Sequence, residues 1–298
     1  MVSINAGDLE RLLLSCVFLE SLNIHMCSGS SSLRVPQELS RLQYLRVRYY
    51  GMEIIELHAL NLAKFEFDDD LVQTVLSESS KLSEAIFVSN RRLLSGYDDV
   101  LDYIFTELPA ALPHVHTLLL LLTATQVQRF SNTRNSFTCL RHLNMNLDIF
   151  LNSDDDSWVM GFVNLLELAP LLEELEVHMD RGRYCSPNPR TVTAAQGPLH
   201  RRLRSVYISG FCDVLGLAEL ALYILGNATV LERVVVDPVA GMKEDLNTEH
   251  FYSVSKAGSS EKFVLPSEGT PLYCVDEKRM FAKANLDREK FRHILTIL

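Results

Sequence analysis

"LAPLLEELEVHM", residues 168–179, holds a proline turn and then apolar residues at 172, 175 and 177, with glutamates among them. Leu175 and Val177 stand two apart, so an extended strand directs both to one face and sends Glu174 and Glu176 to the other. Leu172 lies in the turn leading into that strand. The same phrase returns as "LRHLNMN" from Leu140, "LRSVYIS" from Leu203 and "LERVVVD" from Leu231. A phrase that recurs along a chain reads as a building unit rather than as a catalytic motif.

Written as L-x-x-L-x-L, with other apolar residues admitted, the phrase fits nine places. They are Leu19-Leu22-Ile24, Leu42-Leu45-Val47, Leu62-Phe65-Phe67, Leu82-Ala85-Phe87 and Val115-Leu118-Leu120, followed by Leu140-Leu143-Met145, Leu172-Leu175-Val177, Leu203-Val206-Ile208 and Leu231-Val234-Val236. Leu9-Leu12-Leu14 also fits, but stands too close to Leu19 to be a full unit. The spacings are 23, 20, 20, 33, 25, 32, 31 and 28 residues. They lie in or near the period of about 20–29 residues that marks leucine-rich repeats. A single unit cannot bury its own leucines, whereas stacked units share one continuous core.

The predicted fold is therefore α/β: a leucine-rich-repeat solenoid with a curved parallel sheet. Its repeats are short N-terminally and contain helices C-terminally. In the short units "MEIIEL" (52–57) alternates like a second, outer strand. In the longer ones "DDVLDYIFTEL" (98–108) predicts a helix stopped by Pro109. "SWVMGFVNLLEL" (157–168) predicts a helix stopped near Pro170, and "VLGLAELALYIL" (214–225) one stopped at Gly226 and Asn227. Residues 181–198 and 241–271 read as loops, and the stretch from Asp276 to the end reads as an amphipathic helical cap. Residues 1–240 form the repeat domain; residues 241–298 are a loop and cap continuing it.

Composition narrows the function. The 298 residues are 47% apolar and carry a net charge of −10. That excess of acid argues against a general nucleic-acid binder, which needs clustered Lys and Arg for phosphates. The longest aliphatic run, 118–122, is far short of the roughly 20 residues of a membrane span, and the N-terminus lacks the basic start of a signal peptide. The six cysteines are scattered with no C-x-x-C pair, so they read as reduced, mostly buried thiols. An intracellular protein, in cytoplasm or nucleus, is expected.

Motifs of chemistry are few. His114 and His116 place two imidazoles on one strand face, but no third metal ligand is evident, and turn histidines are the simpler reading. The acidic runs 68–70 and 154–156 lack the glycine and distal glutamate of a calcium loop. No phosphate loop, dinucleotide fingerprint or nucleophile elbow occurs. "HRRLR" (200–204) suits an acidic partner or a solvated turn. No cofactor, metal or catalytic residue is expected.

The strand residues that face away from the core line the concave surface. Most are polar, but Ile86, Val88, Leu119 and Leu121 put four aliphatics on adjacent strands. Tyr44 and Arg46 stand two units away, and Tyr207 lies on a later strand. An exposed aliphatic patch with a polar rim marks an interaction site, so these seven residues are the candidate partner contacts. Two other readings stay open: the 33-residue step between the two units folds over the patch, or the register slips at Ala85.

Several phrases are similar to a known family. "LRHLNMNLDIF", "VNLLELAPLLEELEVHM", "LERVVVDP", "REKFRHILTIL" and "IIELHALNLAKFEFDD" resemble the leucine-rich region of plant F-box proteins, especially the large grass set with FBD-like tails. The resemblance runs roughly from Leu9 to Leu298 and covers the repeat region only, with the F-box missing. It implies a non-enzymatic protein-binding solenoid acting in substrate recognition for a cullin-based ubiquitin ligase. A Skp-type adaptor would join only through an F-box supplied upstream. The alternative is a standalone repeat scaffold, or a truncated family member, with no ligase role.

Overall fold

The nine leucine phrases become nine parallel strands of one sheet, side by side in chain order. This computed structural model describes residues 6–25, 32–48, 54–68, 73–75, 81–89, 106–124, 135–149, 158–180, 197–211, 216–239 and 272–298. The main-sheet strands are β1 (Ser21–His25), β3 (Tyr44–Arg48), β5 (Lys64–Asp68), β7 (Glu84–Ser89) and β8 (Thr117–Ala124), then β9 (His142–Ile149), β10 (Glu174–Asp180), β11 (Ser205–Ser209) and β12 (Arg233–Asp237). A tenth, β13 (Leu295–Ile297), pairs with β12. Three short strands, β2 (Ser32–Val35), β4 (Ile54–Leu57) and β6 (Gln73–Val75), make a second parallel sheet. The outer strand read from "MEIIEL" is β4.

Register follows the phrase. Leu22, Leu45, Phe65, Ala85, Leu118, Leu143, Leu175, Val206 and Val234 are consecutive partners across the sheet. The register does not slip at Ala85. From Leu45 to Val234 every residue of that row is buried, and so is the row two residues on, from Ile24 through Val47, Phe67, Phe87, Leu120, Met145, Val177 and Ile208 to Val236.

The backbone explains why the pattern holds. In several turns the first key residue donates its N–H to the carbonyl three residues back, as from Leu42 to Leu39 at 3.0 Å and from Leu172 to Ala169 at 3.1 Å. Two successive N–H groups then share one carbonyl of the preceding unit. Glu173 and Glu174 donate to Arg141 at 2.8 and 2.9 Å, and Arg204 and Ser205 donate to Glu173 at 2.8 and 3.1 Å. This shared acceptance recurs at all eight steps from β1 to β12. It satisfies the amides at each strand start and fixes where the next strand begins.

Helices α1 (Ala6–Ser15), α2 (Leu108–Ala111), α3 (Trp158–Leu168), α4 (Leu217–Asn227) and α5 (Leu272–Leu286) complete the described elements, with a 3₁₀ turn at Glu289–Phe291. Strands neighbour at about 4.8 Å whereas packed helices need about 8–10 Å. The sheet side is therefore the shorter arc, and its outward face is concave. The short early units fill their core with aromatics instead: Phe65, Phe67 and Phe87 have ring centroids 5.9–6.4 Å apart.

Three local expectations change. The Leu9-Leu12-Leu14 match belongs to helix α1, where Leu13 is buried and Leu12 and Leu14 are exposed. Thr106 is still helical and Glu107 is a turn, so a helix does end just ahead of Pro109, and Pro109 itself occupies the first turn of α2, where its missing N–H costs nothing. The helix read over 98–108 otherwise lies outside the described residues up to 105. The C-terminal stretch is not helical throughout, since β13 follows α5. Val234 donates to Ile294 at 2.7 Å and Leu298 to Val236 at 3.0 Å, so the last residues satisfy the open edge of β12. The loop over 241–271 and nearly all of that over 181–198 lie outside the described residues. Cys16 and Cys139 carry free thiols and are half-buried rather than buried.

The row structure yields a first test. Leu143→Ala, at a fully buried inward position, is expected to cost about 2–5 kcal/mol. Glu174→Ala, one residue from an inward position and exposed, should stay within about 0.5 kcal/mol of the parent. Urea denaturation of the two variants checks this, and equal losses would refute the register.

Candidate functional site

The outward residues also fall into rows. The middle one runs Asn23, Arg46, Glu66, Ile86, Leu119, Asn144, Glu176, Tyr207, Val235. Its chemistry changes along the solenoid and divides the face into three zones.

The first zone, on β3, β5 and β7, is an ionic lattice. Arg46 lies 3.4 Å from Glu66, Arg48 3.2 Å from Asp68, and Lys64 2.7 Å from Glu84 and 3.3 Å from Glu66. Each basic side chain stands directly across from an acidic one or one step away, so the zone neutralises itself. Burial, the charge of Glu66 and a hydrogen bond to it raise the Tyr44 hydroxyl above its ordinary range. Burial alone would lower Lys64, but hydrogen bonds and charge from Glu84 and Glu66 raise it. Asp68, from the first acidic run, works here as an ion-pair partner; residues 69–70 and 154–156 lie outside the described residues.

The second zone is the aliphatic cluster. Ile86 is across from Leu119 and Val88 from Leu121. The four form a cluster separate from the main core, on the outward face as the register requires. Their exposure corrects the sequence reading: Ile86, Leu119 and Leu121 are each 8% accessible and Val88 is 5%. They are not an open patch. Crowding accounts for part of this, because a concave face draws side-chain tips together and Glu66 and Asn144 flank the pair in the same row. Residues 90–105, which include most of the step considered as a cover, lie outside the described residues.

The third zone, on β9 to β12, is a polar network centred on Glu176. Asn144 donates to Glu176 at 3.0 Å. The Nε2 atoms of His142 and His178 lie 3.8 and 3.4 Å from its two carboxylate oxygens. His178 shares a 2.8 Å hydrogen bond between Nδ1 and the Ser209 hydroxyl. Tyr207 donates to Asp237 at 2.9 Å. Burial, that hydrogen bond and the charges of Asp237 and Glu176 push the Tyr207 hydroxyl up to about 12. Ser209, His178 and Glu176 stand in the order of a hydrolase relay, but Ser209 is 1% accessible and His178 2%. No substrate carbonyl reaches that hydroxyl, so the relay orders the face rather than performing acyl transfer.

The seven candidate contacts do not form one constellation. The structure joins the four aliphatics, leaves Tyr44 and Arg46 in the ionic lattice, and places Tyr207 three strands beyond Leu119. Sequence reasoning passed over Asn144, Glu176, His178, Ser209 and Asp237 as contacts, although all are outward residues of recognised phrases. The signal available was their alignment in neighbouring rows. His114 and His116 are exposed turn residues, and no metal-holding group of His, Cys, Asp or Glu occurs among the described residues. Within "HRRLR", Arg204 pairs with Glu232 at 2.8 Å, and His200 Nε2 meets the Tyr223 hydroxyl at 2.9 Å.

That half-buried histidine makes a second test. Burial holds His200 below its ordinary 6.5, so the unfolded chain binds the proton more readily than the folded one. The contribution is present above pH 6.5 and is lost as pH falls through the lower folded value. His200→Gln should therefore flatten the fall in melting temperature on mild acidification, and an unchanged slope would remove His200 from the account.

A model of the LRR domain of At1g61320/AtMIF1 matches residues 1–262, which takes in all nine phrases. The chain belongs to this leucine-rich-repeat family. The At1g61320/AtMIF1 match supports the α/β solenoid and a protein-binding scaffold as its general role, and members of an LRR domain family are typically non-enzymatic. No curated protein and no solved structure matches the chain. No helix among the described residues is long and apolar enough to cross a membrane.

Proposed function

We propose that the concave face of this leucine-rich-repeat chain holds a protein target, as the substrate-recognition region of a cullin-based ubiquitin ligase. The observation that carries the binding part is the register. Nine strands present outward side chains in continuous rows, on a backbone fixed at every step by shared amide bonds. Such a face holds its groups in place before a partner arrives, which lowers the ordering cost of association. Tyr44, Arg46 and Tyr207 offer partly accessible polar tips, and Ile86, Val88, Leu119 and Leu121 form an apolar floor. The ligase part rests on the likeness of the repeat phrases to those of plant F-box proteins. A Skp-type adaptor enters only through an F-box placed upstream, and the setting is the cytoplasm or nucleus of a plant cell.

The test is affinity capture with the 298-residue chain, alone and fused behind an F-box. Ubiquitination of the captured target is then assayed with adaptor and cullin present. The reading expects one target in both captures and its modification only with the fusion. A target that is captured but never modified would favour the standalone scaffold.

A further inference from the structure

We propose that the rim of the solenoid at the strand starts of its last three units, residues 199–204, 229–233 and 287–293, is a second binding surface, and that it takes a short acidic segment of a protein partner carrying an aliphatic residue. This rim is separate from the aliphatic floor and the Glu176 network of the concave face, and stands whether or not those hold a target.

The register brings three turns together. Ser205 pairs with Arg233, Arg204 meets Glu232 at 2.8 Å and His200 bridges Ala228, all at one offset of 28 residues. The turn before β11 therefore runs alongside the turn before β12, with Arg202 beside Val230. Val234 pairs with Leu295 and donates to Ile294 at 2.7 Å, so the turn before β13 lies on the other flank.

Positive charge gathers on these turns, although the chain as a whole carries −10. They hold seven basic side chains, six of them arginine, and three acidic ones. Two of the acids are already matched, Glu232 by Arg204 and Asp287 by Arg292, both at 2.8 Å. Glu289 is the third. Arg201, Arg202, Arg233 and Arg288 are exposed and have no ion pair among the described residues. Lys290 lies over the Phe291 ring at 4.5 Å. In the row of Arg233 the nearest acid is Glu174, two strands away. Charge is thus left over here, the reverse of the self-neutralised lattice on β3, β5 and β7.

The second support is apolar. Leu199 is 55% accessible and Val230 42%, and both stand among these arginines. Covering them stabilises a complex through the apolar surface removed from water. Arginine clusters read acidic motifs because the guanidinium fork meets a carboxylate with two parallel hydrogen bonds. A single-stranded nucleic acid needs exposed rings for its bases, and the one Phe, Tyr or Trp of these turns, Phe291, is buried. A flat anionic membrane would meet Glu232 and Glu289 along with the arginines. An extended segment advances about 3.3 Å per residue while neighbouring strands stand about 4.8 Å apart, so about four residues crossing the rim reach all three turns.

The probe is a random linear peptide display library, panned on the folded 298-residue chain at low and high salt. Selected peptides are measured against the parent and three variants: Arg201→Glu with Arg202→Glu, Arg288→Glu, and Leu199→Ser. Melting curves confirm that each is folded. All four substituted residues are exposed, and the two charge-reversed variants lie on separate turns, so misfolding of one leaves the other to decide. Phosphatidylserine–phosphatidylcholine vesicles and a single-stranded oligonucleotide run beside the peptides. The inference expects a class of peptides rich in Asp or Glu with an aliphatic residue. Their binding should fall at least about tenfold in each charge-reversed variant, fall at high salt, and weaken in Leu199→Ser. The absence of an acidic class, or an acidic class that binds the charge-reversed variants as tightly as the parent, would overturn it and leave the reading of the concave face untouched. Vesicles or oligonucleotide binding through the arginines while no acidic peptide does would overturn it as well.

Discussion

A double substitution, Ile86→Asp with Leu119→Asp, is expected to abolish folding rather than merely blunt recognition. Both side chains are 8% accessible and face each other across β7 and β8. Each new carboxylate would be desolvated, the two would stand in direct cross-strand apposition, and Glu66 is the partner of Ile86 on the other side. Like charges opposed across strands repel, and an uncompensated buried charge costs several kcal/mol. Together they rival the whole stability of a typical domain, about 5–15 kcal/mol. Circular dichroism should show loss of the folded signal, whereas Thr117→Asp, half-buried in a neighbouring row, should melt near the parent. A double variant that melts like the parent would mean the aliphatic cluster lies open to water.

Gly210→Val should cause the next largest loss. Gly210 follows β11 directly and has φ of 71°, a left-handed conformation in which a β-branched residue is a genuine outlier. A Cβ built there falls 2.0 Å from the carbonyl oxygen of Met179 on β10, a backbone atom that cannot swing aside. Relieving the clash means parting the ends of β10 and β11 and disturbing the 2.9 Å bond from Gly210 to Val239. We expect a cost above about 4 kcal/mol, in the range reserved for severe backbone or core damage. Gly226→Ala serves as the contrast: it lies in α4 with nothing within 4 Å of the added carbon and should stabilise by about 0.5–1 kcal/mol. Chemical denaturation separates them, and a Gly210→Val protein as stable as the parent would show that the turn can be rebuilt at little cost.

The architecture was legible because one physical requirement repeats nine times. Each unit must bury an i, i+2 pair, and the period of two survives substitution by Phe, Met or Ala, as at Phe65, Met145 and Ala85. The tenth strand was not legible because Phe291, buried in the turn before β13, lies four residues from Leu295 where the phrase allows three. One extra residue in a turn erases a spacing signal without changing the strand it leads to. Pro109 marked the end of the helix before it but not the short helix α2 that it opens, since proline ends one helix and begins another with equal ease.

The candidate site was less legible. Sequence alternation told correctly which way Ile86 and Leu119 point, but facing away from the core differs from being wet. Accessibility depends on curvature and on what stands beside each side chain, neither of which a single strand records. The Glu176 network shows the same limit from the other direction. Asn144, Glu176 and Ser209 look like ordinary solvated residues in their own phrases. Only register brings Asn144 and Glu176 side by side and sets His178 beside Ser209.

The shared carbonyl at each of the eight steps is made wholly by main chain, so it is indifferent to which side chains a unit carries. Any unit that reproduces the turn can be seated beside any other. Gene segments encoding whole units can then be duplicated, lost or exchanged with the seam still sealed, while the outward rows are rewritten freely. Recognition and architecture are thereby inherited separately, and a lineage can change what it grips without relearning how to fold.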